Sequence, residues 1–339
     1  MSINNSFVAP KPKENEPWDV AIIGSGPSSL TAAIYTTRGA ASTLILGGEK
    51  WGGQLMLTTT VDNYPGFPKG IQGPELMQKM REQAERFGAE FVAKKVVAVI
   101  FDNKPFLLKT GDEDYKANSV IIATGAETRW LGVPGEEKLR GRGVSSCAPC
   151  DAPFFKDKEV VVVGGGDVAM EEALVLTKYA KSVTMIHRRD EFKASQAMQE
   201  KVFENNKIKI LWDSEVVEMM GEEKLDAVKI KTKKDSKKTK NFEGETKVKG
   251  DYFFWQKKID GMFVAVGHIP ATDVFEQKIE LDEKGYVKLH NATHTDKKGV
   301  FVAGDVHDYR YRQAITAAGY GCMAGMDTIK YLDKLKLSQ

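Results

Sequence analysis

Twice along this chain of 339 residues an apolar run breaks into closely spaced glycines and then into a helical pattern. The first is Trp18-Asp19-Val20-Ala21-Ile22-Ile23, followed by Gly24-Ser25-Gly26-Pro27-Ser28-Ser29 and Leu30-Thr31-Ala32-Ala33. The second is Glu159-Val160-Val161-Val162-Val163, followed by Gly164-Gly165-Gly166-Asp167-Val168-Ala169 and Met170-Glu171-Glu172-Ala173. Strand, glycine turn and helix N-terminus together make a cradle for a pyrophosphate. The first glycine permits the tight turn, the second lets the phosphate approach the backbone, and the free N–H groups of the helix face the anion. One such signal is weak and is shared with plain tight turns. The strand before it and the helix after it strengthen it, and its repetition predicts two α/β dinucleotide-binding domains.

The strands that follow the two turns end differently. Ser42-Thr43-Leu44-Ile45-Leu46 runs into glycine, and Glu49 is the acid nearest to where an adenosine ribose would be held, an ordinary exposed glutamate being the alternative. Ser182-Val183-Thr184-Met185-Ile186 runs into His187-Arg188-Arg189, where two guanidinium groups suit a ribose 2′-phosphate and so mark NADPH. Gly52-Gly53-Gln54 and Asp62-Asn63-Tyr64-Pro65-Gly66-Phe67 read as loops, and residues 74–87 as an amphipathic helix burying Leu76, Met77, Met80, Ala84 and Phe87. Residues 119–126 form a strand ending in a small-residue turn, and residues 261–268 repeat that pattern. Residues 299–305 give a strand, a glycine and the acid Asp305 before a further helix start at residues 311–319. Cys322, within that helix, reads as a buried small hydrophobe.

Between the two repeats lies Cys147-Ala148-Pro149-Cys150-Asp151, with two of the three cysteines. Thiols at this spacing close and reopen a disulfide by thiolate attack. Half of a zinc site is the alternative, but four ligands are needed and only Cys322 remains, with no nearby histidine pair. Asp151, beside the pair, is the candidate proton donor, against a plain surface aspartate. Three cysteines argue against a disulfide scaffold and for a reducing compartment. A net charge of +2 spread along the chain leaves no nucleic-acid footprint, and no apolar run approaches the roughly 20 residues of a membrane span. Residues 1–17 are expected to be a disordered polar tail rather than a leader. A lysine-rich stretch near 231–258, with Lys237-Lys238-Thr239-Lys240 and Phe253-Phe254-Trp255, is expected to be a solvated inserted hairpin rather than a nucleic-acid patch.

Taken in order, Gly24-x-Gly26, Gly52-Gly53-Gln54, Asn63-x-Pro65-Gly66-Phe67, Ala123-Thr124-Gly125, Cys147-x-x-Cys150-Asp151, Gly164-x-Gly166-Asp167, His187-Arg188-Arg189-Asp190 and Gly304-Asp305 with Arg312-Gln313-Ala314 closely resemble the low-molecular-weight, NADPH-dependent thioredoxin reductases. The resemblance runs from Trp18 to the C-terminus. It implies two Rossmann-like domains, an NADPH domain at 129–260 inserted into an FAD domain at 18–128 and 261–339. The inserted domain would turn on linkers near 126–133 and 257–261.

For FAD the resemblance implies Gly24, Gly26, Pro27, Glu49, Gly53, Gln54, Asn63, Thr124, Gly125, Asp305, Arg312, Gln313 and Ala314. For NADPH it implies Gly164, Gly166, Asp167, His187, Arg188, Arg189 and Lys193. Cys150 would face the flavin, Cys147 would attack thioredoxin, and Asp151 would supply the proton. A cytoplasmic homodimer without a metal is implied too. Ala152 stands where the family often has glycine, Val168 where serine or alanine is common, and Lys193 where a third arginine is frequent. An oxygen-dependent dithiol oxidase is the rival within enzymes, and His187-Arg188-Arg189 counts against it. A non-catalytic flavoprotein is the rival outside them, and the intact cysteine pair counts against that.

Overall fold

The computed structural model describes residues 7–58, 60–239, 242 and 244–337. Residues 1–6 of the expected tail, and Lys240 of the basic run, lie outside the described residues. The chain forms two compact units. One contains the residues up to Glu127 and from His268 onward, and the other is Thr128–Gly267.

In the first unit the parallel strands Glu90–Val92, Thr43–Leu46, Trp18–Ile23, Asp114–Ile122 and Val300–Val302 lie side by side in that order. A hairpin, Ala98–Ile100 with Phe106–Lys109, pairs antiparallel with the start of Asp114–Ile122. Alternate side chains of these strands enter two different cores. Val20, Ile22, Ile45 and Ile121 pack against Leu30, Ala33, Met77 and Leu332 from helices Pro27–Arg38, Gly73–Arg86 and Ala314–Leu337. Ala21, Ile23, Leu44 and Val120 pack against Phe106, Leu108, Phe275 and Val287. A sheet covered on both faces needs uninterrupted apolar strands, which is why these runs do not alternate.

The second unit repeats the plan. Val144–Ser145, Gly261–Val264, Glu159–Val163, Ser182–Ile186 and Ile208–Leu211 form a parallel sheet in that order. Helix Asp167–Leu176 covers one face through Ala169, Met170, Ala173 and Leu176. The other face meets Val216, Val228, Ile230 and Trp255 of an antiparallel sheet built from Ser214–Met220, Ala227–Lys233, Tyr252–Lys258 and Lys247–Lys249.

Three expectations need correcting. A boundary at 260/261 cuts one strand too early: Gly261–Val264 pairs with Glu159–Val163 inside the second unit, and the chain returns to the first unit at 267/268. The 231–258 stretch is not a solvated hairpin throughout. Tyr252–Lys258 pairs along its whole length with Ala227–Lys233 and buries Trp255, while Phe242 stacks on Phe253 and Trp255 at 5.0 and 5.6 Å between ring centres. The described part of the 1–17 tail is also anchored. Ala9 is buried and donates its N–H to the Phe87 carbonyl at 2.9 Å, over Gly88, where a side chain would collide with Ala9. Among the described residues no helix is long and apolar enough to cross a membrane.

Candidate active site

Around the first glycine turn the structure gathers most of the residues expected there. A Cβ on Gly24 would overlap the Ala123 carbonyl, so the residue must be glycine where the two strands end side by side. A Cβ on Gly26 would meet nothing, which leaves open space above the N-terminus of helix Pro27–Arg38. Ser25, which the sequence reading passed over, fastens the next loop in place: its hydroxyl donates to the Gly47 carbonyl at 2.7 Å and accepts from Gly52 N–H at 2.9 Å. That brings Gly53 against Gly26 and starts the short turn Gly53–Leu57 holding the exposed Gln54. Thr124 donates to the Ala271 carbonyl at 2.7 Å, and the Gly125 carbonyl accepts from Ala271 N–H at 3.0 Å. Asn63 donates to Gln313 at 3.2 Å, joining two loops far apart in sequence. Glu49 is exposed and makes no side-chain bond among the described residues.

Gly304 lies against Ser28 at the start of the same helix, which sets Asp305 close behind the turn. Oδ1 of Asp305, Oδ2 of Asp308 and Nε2 of His307 are all buried without a hydrogen-bond partner among the described residues. Burial, helped by the charge of Asp308 and opposed by Arg312, pushes the Asp305 carboxyl up to about 7. Arg312, at φ +47° just before helix Ala314–Leu337, donates to the ring of His268, which burial and the arginine's charge hold down at about 4. Native proteins rarely leave buried polar atoms unpaired, so a polar cluster of this kind is what a hydroxyl-rich ligand would satisfy.

The second turn has the same backbone with other side chains. A Cβ on Gly164 would overlap the Ala265 carbonyl, and one on Gly166 would meet nothing above helix Asp167–Leu176. The Gly165 carbonyl accepts from Lys193 N–H at 2.8 Å, so the 187–194 loop folds back over the turn. Arg188, Arg189 and Lys193 are exposed on that loop and have no carboxylate partner among the described residues. Asp167 is engaged with Ser195, accepting from its hydroxyl at 2.7 Å and its N–H at 2.9 Å. His187 departs from expectation. Its ring is buried against Phe192 and Trp212 and bonded to the Glu191 carbonyl at 2.9 Å, so it props the loop rather than reaching outward.

Cys147 and Cys150 are joined as a disulfide across the first turn of the short helix Ala148–Asp151, with Cα atoms 5.3 Å apart, so the sulfurs serve each other rather than a zinc ion. Two residues the sequence reading missed support this turn. Ser145 accepts from Cys147 N–H at 3.0 Å, and Glu172, buried on helix Asp167–Leu176, accepts from Ala148 N–H at 2.8 Å. Glu172 is an acid on the apolar side of a helix, and that was its only signal in the sequence. Burial raises the Asp151 carboxyl above the ordinary range, with a hydrogen bond to Ser145 pulling the other way. A carboxyl with a raised pKa beside a disulfide is better suited to exchange a proton with a departing thiolate. Cys322 is half-buried rather than buried, with Sγ 3.9 Å from Sδ of Met326.

Two turned strands that each open over a helix N-terminus, one of them in a unit with a redox disulfide, define a class. The chain belongs to the pyridine nucleotide-disulphide oxidoreductase family, whose pattern matches residues 18–321. It is an oxidoreductase, and its relatives narrow the class. It is 48% identical to a thioredoxin reductase of Mycolicibacterium smegmatis over 93% of this chain and 96% of the relative. Among solved structures it is similar to the thioredoxin reductase of Streptococcus pyogenes, with a TM-score of 0.85 and 39% identity over 94% of this chain and 99% of that one. The thioredoxin reductase of Giardia duodenalis gives 0.84 and 40% over 94% and 100%. The residues present fit the two dinucleotides such enzymes use. Gly26 and Gly166 leave the helix N-termini open, and Asp305 offers a buried unpaired oxygen beside the first.

Proposed function

We propose that this enzyme reduces the disulfide of thioredoxin with electrons from NADPH, through FAD held by the first unit and the Cys147–Cys150 pair. The observation that carries this reading is the pair itself. It is a disulfide at the head of a helix, with a raised-pKa carboxyl one residue beyond, in a unit whose other loop displays two exposed arginines. FAD, when bound, supplies the two-electron relay between nicotinamide and disulfide. Gly24, Gly26, Pro27, Gly53, Gln54, Thr124, Gly125, Asp305, Arg312, Gln313 and Ala314 would hold it, with Asn63 and the exposed Glu49 at its edge. Gly164, Gly166 and Asp167 would frame the NADPH pyrophosphate, and Arg188, Arg189 and Lys193 its 2′-phosphate.

Once the pair is reduced, the Cys147 thiolate attacks the partner's disulfide and forms a mixed disulfide, expelling one partner thiolate. Cys150 then attacks the Cys147 sulfur, which reforms the intramolecular disulfide and releases the second thiolate. Asp151 holds a proton for the flavin-facing thiolate and returns it during exchange.

Anaerobic stopped-flow mixing tests the reading. NADPH should bleach the flavin absorbance, and added oxidised thioredoxin should restore it in the wild type but not in Cys147→Ser. Bleaching followed by reoxidation with oxygen alone would refute the assignment.

A cytoplasmic homodimer is part of the same proposal. A reducing compartment keeps the exchange directional, and Tyr35, Met323 and Met326 expose apolar surface on helices Pro27–Arg38 and Ala314–Leu337. A single-chain mass at sedimentation equilibrium would contradict the dimer, and recovery in a membrane fraction would contradict the location.

A further inference from the structure

The lysine-rich stretch has no part in the chemistry above, yet it is tied by several bonds to the loop that carries Arg188 and Arg189. Lys238 donates its ammonium to the Asp190 carbonyl, and the same group lies 4.8 Å from the centre of the Trp212 ring. The buried hydroxyl of Thr239 accepts from Trp212 N–H at 2.8 Å. Ser236 donates to the Asp213 carboxylate at 2.8 Å, and Asp213 N–H donates to the Arg189 carbonyl at 3.1 Å. Trp212 in turn packs on His187 and Phe192, the two rings beneath the arginine loop. The carbonyls of Arg189 and Asp190 are therefore both held, the first by Asp213, which Ser236 braces, and the second by Lys238.

We propose that this stretch is a working part of the nucleotide site. Lys238 is a positioning residue that holds the Arg188–Arg189 turn through the Asp190 carbonyl and adds positive potential beside it, sharpening selectivity for a 2′-phosphate. The inference rests on the NADPH reading of that turn. A loop with two neighbouring guanidinium groups repels itself and splays when empty, and an anchor on its backbone reduces the ordering that a phosphate must otherwise impose. The ammonium lies over the Trp212 ring while it donates to the carbonyl, so two contacts act through one charged group.

The test uses the flavin-loaded enzyme and calorimetric titration with 2′,5′-ADP and with 5′-AMP, which differ by the phosphate in question. Lys238→Met keeps the stem and removes the charge and the hydrogen bond. It should weaken 2′,5′-ADP binding by about tenfold and leave 5′-AMP unchanged, while Lys238→Arg should bind nearly as wild type. Lys237→Met, which alters an adjacent exposed lysine, should bind both ligands as wild type. Unchanged affinity for 2′,5′-ADP in Lys238→Met, equal weakening for both ligands, or an equal effect of Lys237→Met would overturn the inference. If Lys238→Met does not fold, Lys238→Gln is read by the same criteria. Arg188→Ala with Arg189→Ala separates the two levels. Lost selectivity there alongside an unaffected Lys238→Met removes only the role of Lys238, whereas retained selectivity removes the NADPH reading beneath it.

Discussion

In the first glycine turn Gly24 N–H bonds to the Leu46 carbonyl, Ala123 N–H to the Ile23 carbonyl and Leu30 N–H to the Gly26 carbonyl. In the second, Gly164 bonds to Ile186, Ala265 to Val163 and Met170 to Gly166 in the same way. The backbones are interchangeable, and the side chains are not. Where the first turn has Ser25 facing Gly47, the second has Gly165 facing His187. The hydroxyl of Ser25 donates to the Gly47 carbonyl while the Phe91 ring fills the space over Gly47, and the ring of His187 fills the space over Gly165, where any Cβ would overlap it. Each pair of positions thus has one glycine, on opposite sides in the two turns. The first arrangement fastens a second glycine loop, Gly52–Gly53, over the turn. The second props up a loop bearing arginines. A common cradle for pyrophosphate acquires different reach on its ribose side from which partner carries the bulk.

The arginines offer the largest break in this comparison. Replacing both Arg188 and Arg189 by alanine should weaken NADPH binding by about a hundredfold or more and leave NADH nearly unchanged, since on the proposed reading each guanidinium would make a charge-assisted contact that only the 2′-phosphate can return. Michaelis constants for both nucleotides in the diaphorase reaction measure it. Equal losses would mean that the second turn recognises its nucleotide no differently from the first.

Asp305 is the second point of difference, because its buried carboxyl oxygen has no hydrogen-bond partner among the described residues, whereas the buried acids Glu136 and Glu172 of the second unit accept backbone N–H groups. With its carboxyl pushed up to about 7, folded protein holds a proton over a range in which the unfolded chain has lost it. Stability from this group is therefore present at low pH and lost as pH rises from about 4 through about 7. His268 and His307, each lowered to about 4 mainly by burial, act in the opposite sense. The unfolded chain takes up protons between about 4 and 6.5 that the folded one refuses, so they favour folding as pH rises. Comparing wild type with Asp305→Asn separates the acid from the histidines. In flavin-free protein, denaturant melts should show the variant gaining on wild type by about 2–4 kcal/mol between pH 4 and 7. Parallel pH curves would show that Asp305 is solvated and that the unpaired oxygen has another explanation.

Much of this was legible from residues alone, for identifiable reasons. Strands Trp18–Ile23, Glu159–Val163 and Ser182–Ile186 fall where apolar runs meet glycine or a basic cluster, since a doubly covered parallel strand leaves no polar position to confuse its ends. The likeness of residues 261–268 to 119–126 was also visible, and carried through to topology it places each strand beside its own glycine turn. A domain boundary at 260/261 contradicts that likeness, which shows that a repeat is a better guide to topology than a change in composition. The lysine-rich stretch misled because lysine counts describe a surface and not an anchor. Thr239, Phe242 and Trp255 carry its packing, and three residues among many lysines give no periodic signal. Ser25, Ser145 and Glu172 were illegible for another reason: each acts through a backbone N–H or carbonyl brought near only by the fold. His187 was named with the arginines because it adjoins them in the motif, whereas its ring is buried within an aromatic cluster and bonded to the Glu191 carbonyl.

The facing pair itself gives the smallest effect and the most direct test of the comparison. Gly165→Ala places a methyl group where the His187 ring sits, and that ring cannot swing away without leaving Phe192, Trp212 and the Glu191 carbonyl. Overpacking of this kind costs about 1–3 kcal/mol. In a His187→Ala background the methyl group meets free space, so the same substitution should cost about 1 kcal/mol less, a positive coupling typical of residues in contact. Ser25→Ala is the mirror experiment in the first unit. It removes two hydrogen bonds that no neighbour replaces, should cost about 1–2 kcal/mol, and should loosen FAD retention through Gly52–Gly53 without touching NADPH affinity. Chemical denaturation of the four members of the Gly165–His187 cycle, with flavin content measured in each, provides the numbers. Additive costs across that cycle would mean that the His187 ring does not set the cost at Gly165, and that the two turns do not differ in the way this contact implies.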